Sequence, residues 1–223
     1  MTHHLLCCSD THGRFPPMAT APPPLAFLYA GDYYDRAQRS TEPKDSAPVE
    51  WLTSPAAPVY AVRGNHDQDD PHGFFARSID AGGAIQQLAP SLFIAGLGWH
   101  GERYFELPRE IDLERVCDRL RTMAAAKLGP ADRLVLLTHY PAEMPAVFSF
   151  RPRRSGWWFA CVRRLIDNLR PIAVVQGHIH QLEGHSAAYE VEGRSVLIAF
   201  PGPRGMKIAI DTEVPSARVI WRG

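Results

Sequence analysis

The sequence predicts a layered α/β domain in which two sheets pack face to face with helices outside. Three observations predict it. Apolar runs recur between residues 4 and 176, helical stretches fall between several of them, and residues 185 to 221 hold only short runs separated by turns. At 223 residues the chain fits one domain with a sizeable core. Its 45% hydrophobic and 22% charged residues are ordinary for a globular protein.

Candidate buried strands lie at residues 4 to 8 (HLLCC), 25 to 30 (LAFLYA), 58 to 63 (PVYAVR), 91 to 97 (SLFIAGL), 133 to 138 (RLVLLT) and 171 to 176 (PIAVVQ). A helix is expected from about Arg109 to Leu128, with Ile111, Val116, Leu120, Met123 and Leu128 as its stripe and Gly129-Pro130 as its stop. A second is expected from about Trp158 to Leu169, with Cys161, Val162, Leu165 and Ile166 facing the core and Pro171 beyond its end. Residues 185 to 191, 195 to 200, 206 to 211 and 216 to 221 read as an antiparallel meander turned at "VEGRS", "PGPRG" and "DTEVPS". Residues 68 to 132 stand out as a cap or insert region within a single domain of 1 to 223.

Five of the apolar runs end in polar residues of ligand type. The first is followed by Asp10-Thr11-His12, the second by Gly31-Asp32 and Asp35, and the third by Gly64-Asn65-His66-Asp67. His139 follows the fifth, and Gly177-His178-Ile179-His180 the sixth. Carboxyl ends of strands in an open α/β sheet share one edge, so such clusters converge. In an extended segment His178 and His180 would also point to one side. Carboxylate, imidazole and amide oxygen together suit hard-to-borderline divalent ions, and no cluster contains the cysteines of a structural zinc site.

In this order, Asp10-x-His12, Gly31-Asp32-x-x-Asp35, Gly64-Asn65-His66-Asp67, His139 and Gly177-His178-x-His180 resemble the calcineurin-like metallophosphoesterase family over residues 5 to 181. The resemblance implies a four-layer αββα sandwich and two divalent metal ions. Manganese is the expected ion, and iron, zinc or nickel are also compatible. By position, Asp10, His12 and His180 would bind one ion and Asn65, His139 and His178 the other, with Asp32 between them. The implied activity is hydrolysis of phosphomonoesters or phosphodiesters by direct attack of a metal-bridging hydroxide. Two carboxylates against two divalent ions leave about two positive charges, enough to recruit a phosphate to an otherwise neutral protein. His66 is expected to contact the phosphate or to give a proton to the leaving oxygen, and Asp67 to orient that imidazole.

Weaker candidates surround this set. Asp35 reads as the acceptor for a ligating histidine or as a strand-end turn residue. Arg36 and Arg63 adjoin motifs that resemble those of the serine/threonine protein phosphatase branch, but no His-Gly-Gly follows the 133 to 138 run. "RPRRSGWW", residues 151 to 158, pairs arginines with tryptophans, which would suit a nucleotide or only a surface loop. Tyr33, Tyr34 and Tyr140 are candidates for the pocket mouth, and His100, Arg103 and Tyr104 for a cover over it.

Composition limits the partners. With 24 basic and 24 acidic residues, no overall field draws the chain to nucleic acid or an anionic membrane. The expected partner is a small phosphate ester, with a nucleotide among the candidates. The four cysteines form no CxxC pair, and no leader or long apolar segment is evident, so reduced thiols and a cytoplasmic location are expected. A non-catalytic scaffold of the same fold and a nucleic-acid end-processing enzyme are the competing readings.

Overall fold

A computed structural model describes residues 1–12, 23–33, 57–67, 73–99, 109–142 and 157–223. Among these described residues, twelve strands form two six-stranded mixed sheets. The first is ordered β12 (Ser216–Arg222), β11 (Met206–Asp211), β1 (Thr2–Cys8), β2 (Ala26–Tyr29), β3 (Val59–Ala61) and β4 (Ile79–Asp80). The second is ordered β5 (Ile85–Ala89), β6 (Leu92–Leu97), β7 (Arg133–Thr138), β8 (Ala173–Gln176), β10 (Arg194–Phe200) and β9 (His185–Val191).

Strand periodicity sorts the core into three apolar layers. Leu5 and Cys7 of β1, Ala26 and Leu28 of β2, and Val135 and Leu137 of β7 all point into the space between the sheets. Their neighbours Leu6, Cys8, Phe27 and Tyr29 face outward, against Phe74 and Phe75 of the short helix α1 (Phe74–Arg77). Leu134 and Leu136 also face outward, beneath α2 (Glu110–Lys127) and α3 (Trp157–Leu169). Near-continuous apolar runs are what strands buried on both faces require.

Several boundaries and faces differ from expectation. The core face of α2 is Leu113, Cys117 and Leu120, whereas Ile111 is 50% exposed. Val116, Met123 and Leu128 pack at its margin. Leu120 and the marginal packing of Val116, Met123 and Leu128 keep most of the expected stripe on the side that meets the sheet, and Ile111, two residues before Leu113 and so about half a turn round the helix, lies off it. Of the interval 68 to 132, β4, β5 and β6 join the sheets and α2 covers one of them. The expected late meander is divided. β9 and β10 extend the second sheet, with β10 parallel to β8, while β11 and β12 extend the first beside β1. Residues 201 to 205 therefore cross between sheets. The tight hairpin at Glu192-Gly193 has both residues at positive φ, 47° and 75°, the twist that a two-residue connection between antiparallel strands favours.

Candidate metal centre

Strands β1, β2 and β3 run parallel in one sheet, as do β7 and β8 in the other. Their carboxyl ends meet across the gap between the sheets. The ring of His139, after β7, places Nδ1 at 2.8 Å from the carbonyl oxygen of Ala30, after β2. The main-chain N–H of His178, after β8, donates to Asp10 Oδ1 at 2.9 Å. Such cross-sheet bonds fix the two halves of the site to each other.

The backbone here is unusual. Asp10, His12, Asp32 and His178 have φ of 51°, 44°, 60° and 72°. Left-handed conformations in non-glycine residues are uncommon and concentrate where a side chain must be aimed. Gly31 shares the conformation at φ 88°, and a Cβ there would lie 2.6 Å from His139 Nδ1. At Gly64 a Cβ would lie 2.1 Å from Asp32 Oδ1, so only glycine lets these loops close on each other.

Two clusters of candidate ligand atoms result. Asp10, His12 and His180 form one, and Asp32, His139 and His178 the other, each with its ligand atoms within 4.8 Å of one another. The expected extended HxH is absent: β8 ends at Gln176, His178 turns into the left-handed region, and His180 opens a 3₁₀ turn, His180–Leu182. This bend sends the two imidazoles to different clusters while Ile179 stays buried in the core.

In the second cluster, Asn65 Oδ1 lies 3.0 Å from His139 Nε2 and 2.9 Å from His178 Nδ1. The two ring nitrogens are 3.2 Å apart, and Asp32 Oδ2 is 3.5 Å from His139 Nε2. Because Nδ1 of His139 faces a carbonyl, which only accepts, the proton of the neutral ring belongs on Nδ1 and Nε2 offers its lone pair. Burial pulls His139 down to about 3 and His178 down to about 4, so both rings are neutral near pH 7. Burial first, then the charges of Asp67 and Asp10, pushes the Asp32 carboxyl well above its ordinary range. Neutral imidazoles, an amide oxygen and carboxylates that repel one another are a donor set that a divalent cation relieves, and the residues fit such an ion.

In the first cluster, His12 stacks on His180 with ring centroids 5.3 Å apart. His180 Nδ1 is 2.7 Å from Glu183 Oε1, which leaves Nε2 as the candidate ligand atom. Glu183 is absent from the residues that the sequence singles out, although a carboxylate three residues after a candidate ligand is the signal for it. Trp99, just after β6, is absent from them too. Its indole lies near-parallel to His178 at 5.7 Å and to Tyr140 at 5.0 Å, and meets His139 edge-on at 6.1 Å.

His66 occupies the rim. Its main-chain N–H donates to Asp32 Oδ1 at 2.8 Å, its ring stands edge-on to His12 at 4.8 Å, and Nε2 is 3.9 Å from Asp32 Oδ2. Asp67 has a backbone task that its expected role beside His66 did not include. Its wholly buried carboxylate accepts the N–H groups of Asp32, Tyr33 and Gly64 at 2.6, 2.7 and 2.8 Å, tying the β2 and β3 loops together. Arg63 donates to the Asp67 carbonyl and lies over the Phe75 ring. Tyr33 and Tyr140, expected at the pocket mouth, are buried. Trp157 and Trp158 begin α3 and pack against the core. Tyr34, Asp35, Arg36, His100, Arg103, Tyr104 and residues 151 to 156 lie outside the described residues.

The sequence pattern of calcineurin-like phosphoesterases matches residues 3–182, a span that includes all five polar strand ends. The chain belongs to the calcineurin-like phosphoesterase family. No curated protein matches this family member's sequence. Among solved structures it resembles TT1561 of Thermus thermophilus, at 14% identity and TM-score 0.65 over 98% of both chains. A 5′-nucleotidase precursor from the same organism matches at 15% identity and TM-score 0.62, over 98% of this chain and 54% of that one. Phosphopantetheinyl hydrolase from Mycobacterium tuberculosis matches at 14% identity and TM-score 0.51, over 90% and 89%. At such identities the likeness is one of fold. Among the described residues of this calcineurin-like chain, no helix is long and apolar enough to cross a membrane.

Proposed function

We propose that the protein is a dinuclear metal-dependent phosphoesterase acting on small phosphate esters, nucleotides among the candidates. The observation that carries this reading is the meeting of seven ligand-type side chains, from five strand ends, in two adjoining clusters. Asp10, His12 and His180 would hold one ion and Asn65, His139 and His178 the other, with Asp32 between them. When bound, two divalent ions supply positive charge for the phosphate and acidify water for in-line attack at phosphorus. Asn65 and the neutral rings contribute no charge, so the phosphate dianion meets a net positive pocket.

The protein's own residues would then do three things. Asp67 holds the Asp32 and Gly64 backbones, and through them the ligand loops, in register. Glu183 keeps His180 presenting one nitrogen. His66, partly exposed at the rim, is placed to give a proton to the leaving oxygen.

The test is a phosphate-ester panel, including p-nitrophenyl phosphate and its bis ester, run with Mn, Zn, Ni and Fe after removal of bound metal. Turnover restored by at least one ion supports the reading. A blank panel with two ions bound per chain would favour a scaffold role instead.

A further inference from the structure

Away from the strand ends, the helical layer brings two thiols together. Cys117 of α2 and Cys161 of α3 face each other with sulfurs 3.5 Å apart, although 44 residues separate them in sequence. Both are free and buried, 6% and 3% exposed. They are reached through a cleft of about 200 Å³ whose lining includes Glu114, Asp118, Arg121 and Arg164. Arg164 pairs with Glu114 at 3.0 Å, which keeps a guanidinium at the mouth beside the sulfurs. The other two cysteines, Cys7 and Cys8, lie in the sheet with no exposed surface.

We infer that Cys117 and Cys161 are a modification site, a dithiol that a peroxide oxidises to an intramolecular disulfide. The sulfurs must close by roughly 1.5 Å to reach bonding distance, a movement that side-chain rotation on two adjacent helices supplies. Cys161 is the attacking thiol. The hydrogen bond from Cys117, and then Arg164, hold it below the ordinary thiol range despite burial, while the same bond and burial push Cys117 up. The Cys161 sulfur attacks one peroxide oxygen, the O–O bond breaks, and the thiol proton leaves in a first molecule of water. The resulting sulfenic acid is attacked by the Cys117 sulfur. The S–OH bond breaks, and hydroxide leaves with the Cys117 proton as a second water. Two thiols thus lose two electrons and two protons, and one peroxide is reduced to two waters. The new bond would tie α2 to α3 around the stretch that carries β7 and His139.

The readout is chemical and independent of phosphoesterase activity. The reduced full-length protein is treated with hydrogen peroxide, remaining thiols are alkylated, and unreduced peptides are weighed. The expected result is a Cys117–Cys161 cross-link lighter by two hydrogens, loss of two of the four thiols per chain, and recovery with dithiothreitol. In Cys117→Ser, dimedone should trap a sulfenic acid at Cys161, and in Cys161→Ser the Cys117 thiol should stay reduced. The inference is overturned if both thiols survive excess peroxide that oxidises free cysteine. A cross-link running instead to Cys7 or Cys8 overturns it equally.

Discussion

At the residue scale, Asp32 joins stability and function with opposite signs. Its carboxylate is buried beside Asp10 and Asp67, so without a cation it destabilises the fold. Asp32→Asn keeps the acceptor for the His66 N–H and sets an amide N–H2 where Oδ2 now faces the His139 lone pair. The expected outcome in chelator is a higher melting temperature than the parent chain, with metal content and turnover both lost, measured by scanning calorimetry and elemental analysis. His66→Ala is expected to behave differently. It should keep both metals and lose roughly 10²- to 10⁴-fold in kcat if it delivers the proton, and unchanged turnover would remove it from the mechanism. Trp99 packs flat on His178, so Trp99→Phe should keep two metals per chain while Trp99→Ala lowers occupancy of the second cluster, read as metal stoichiometry.

At the element scale, helix α2 gives a test of packing register. Leu113 is fully buried under the helix and Ile111, two residues earlier, is half exposed. Leu113→Ala should cost about 2–5 kcal/mol in a urea melt, and Ile111→Ala less than about 0.5 kcal/mol. Equal effects would mean that the helix is rotated. The apolar stripe is hard to read in sequence because an 18-residue helix rich in charge offers more than one apolar line, and which line counts depends on the sheet beneath it. Strand ends are plainer, since five of the six early candidate strands stop at a glycine or histidine and the first stops at Ser9 beside Asp10.

At the whole-molecule scale, the candidate metal centre is also placed to act as a clasp between the sheets. Candidate ligands of both clusters come from both sheets, Asp10, His12, Asp32 and Asn65 from one and His139, His178 and His180 from the other. A cation that binds only this folded arrangement must therefore stabilise both sheets at once, by about 2.7 kcal/mol at one hundred times its dissociation constant. The expected outcome is one cooperative melting transition that moves upward with added Mn or Zn and returns on chelation. Two transitions, with only one of them responsive to metal, would contradict a shared clasp.

Much of the site was legible in sequence because its chemistry is written in residue type. Asp, Asn and His at the ends of apolar runs named the candidate ligands that the fold brings together, and alternating side-chain direction named both faces of the strands. Other features are decided only by the fold. Glu183, Trp99 and the Cys117–Cys161 pair are distant or ordinary in sequence and gain meaning from what packs against them. That the Asp67 carboxylate also holds three main-chain N–H groups is not readable in sequence, because the β2 and β3 loops meet only after the sheet has formed. The sequence by itself determined which atoms can bind a cation and roughly where each strand stops. Tertiary structure decided which of those atoms share a cluster, since left-handed turns at Asp10, His12, Asp32 and His178 aim side chains in directions that no spacing rule contains.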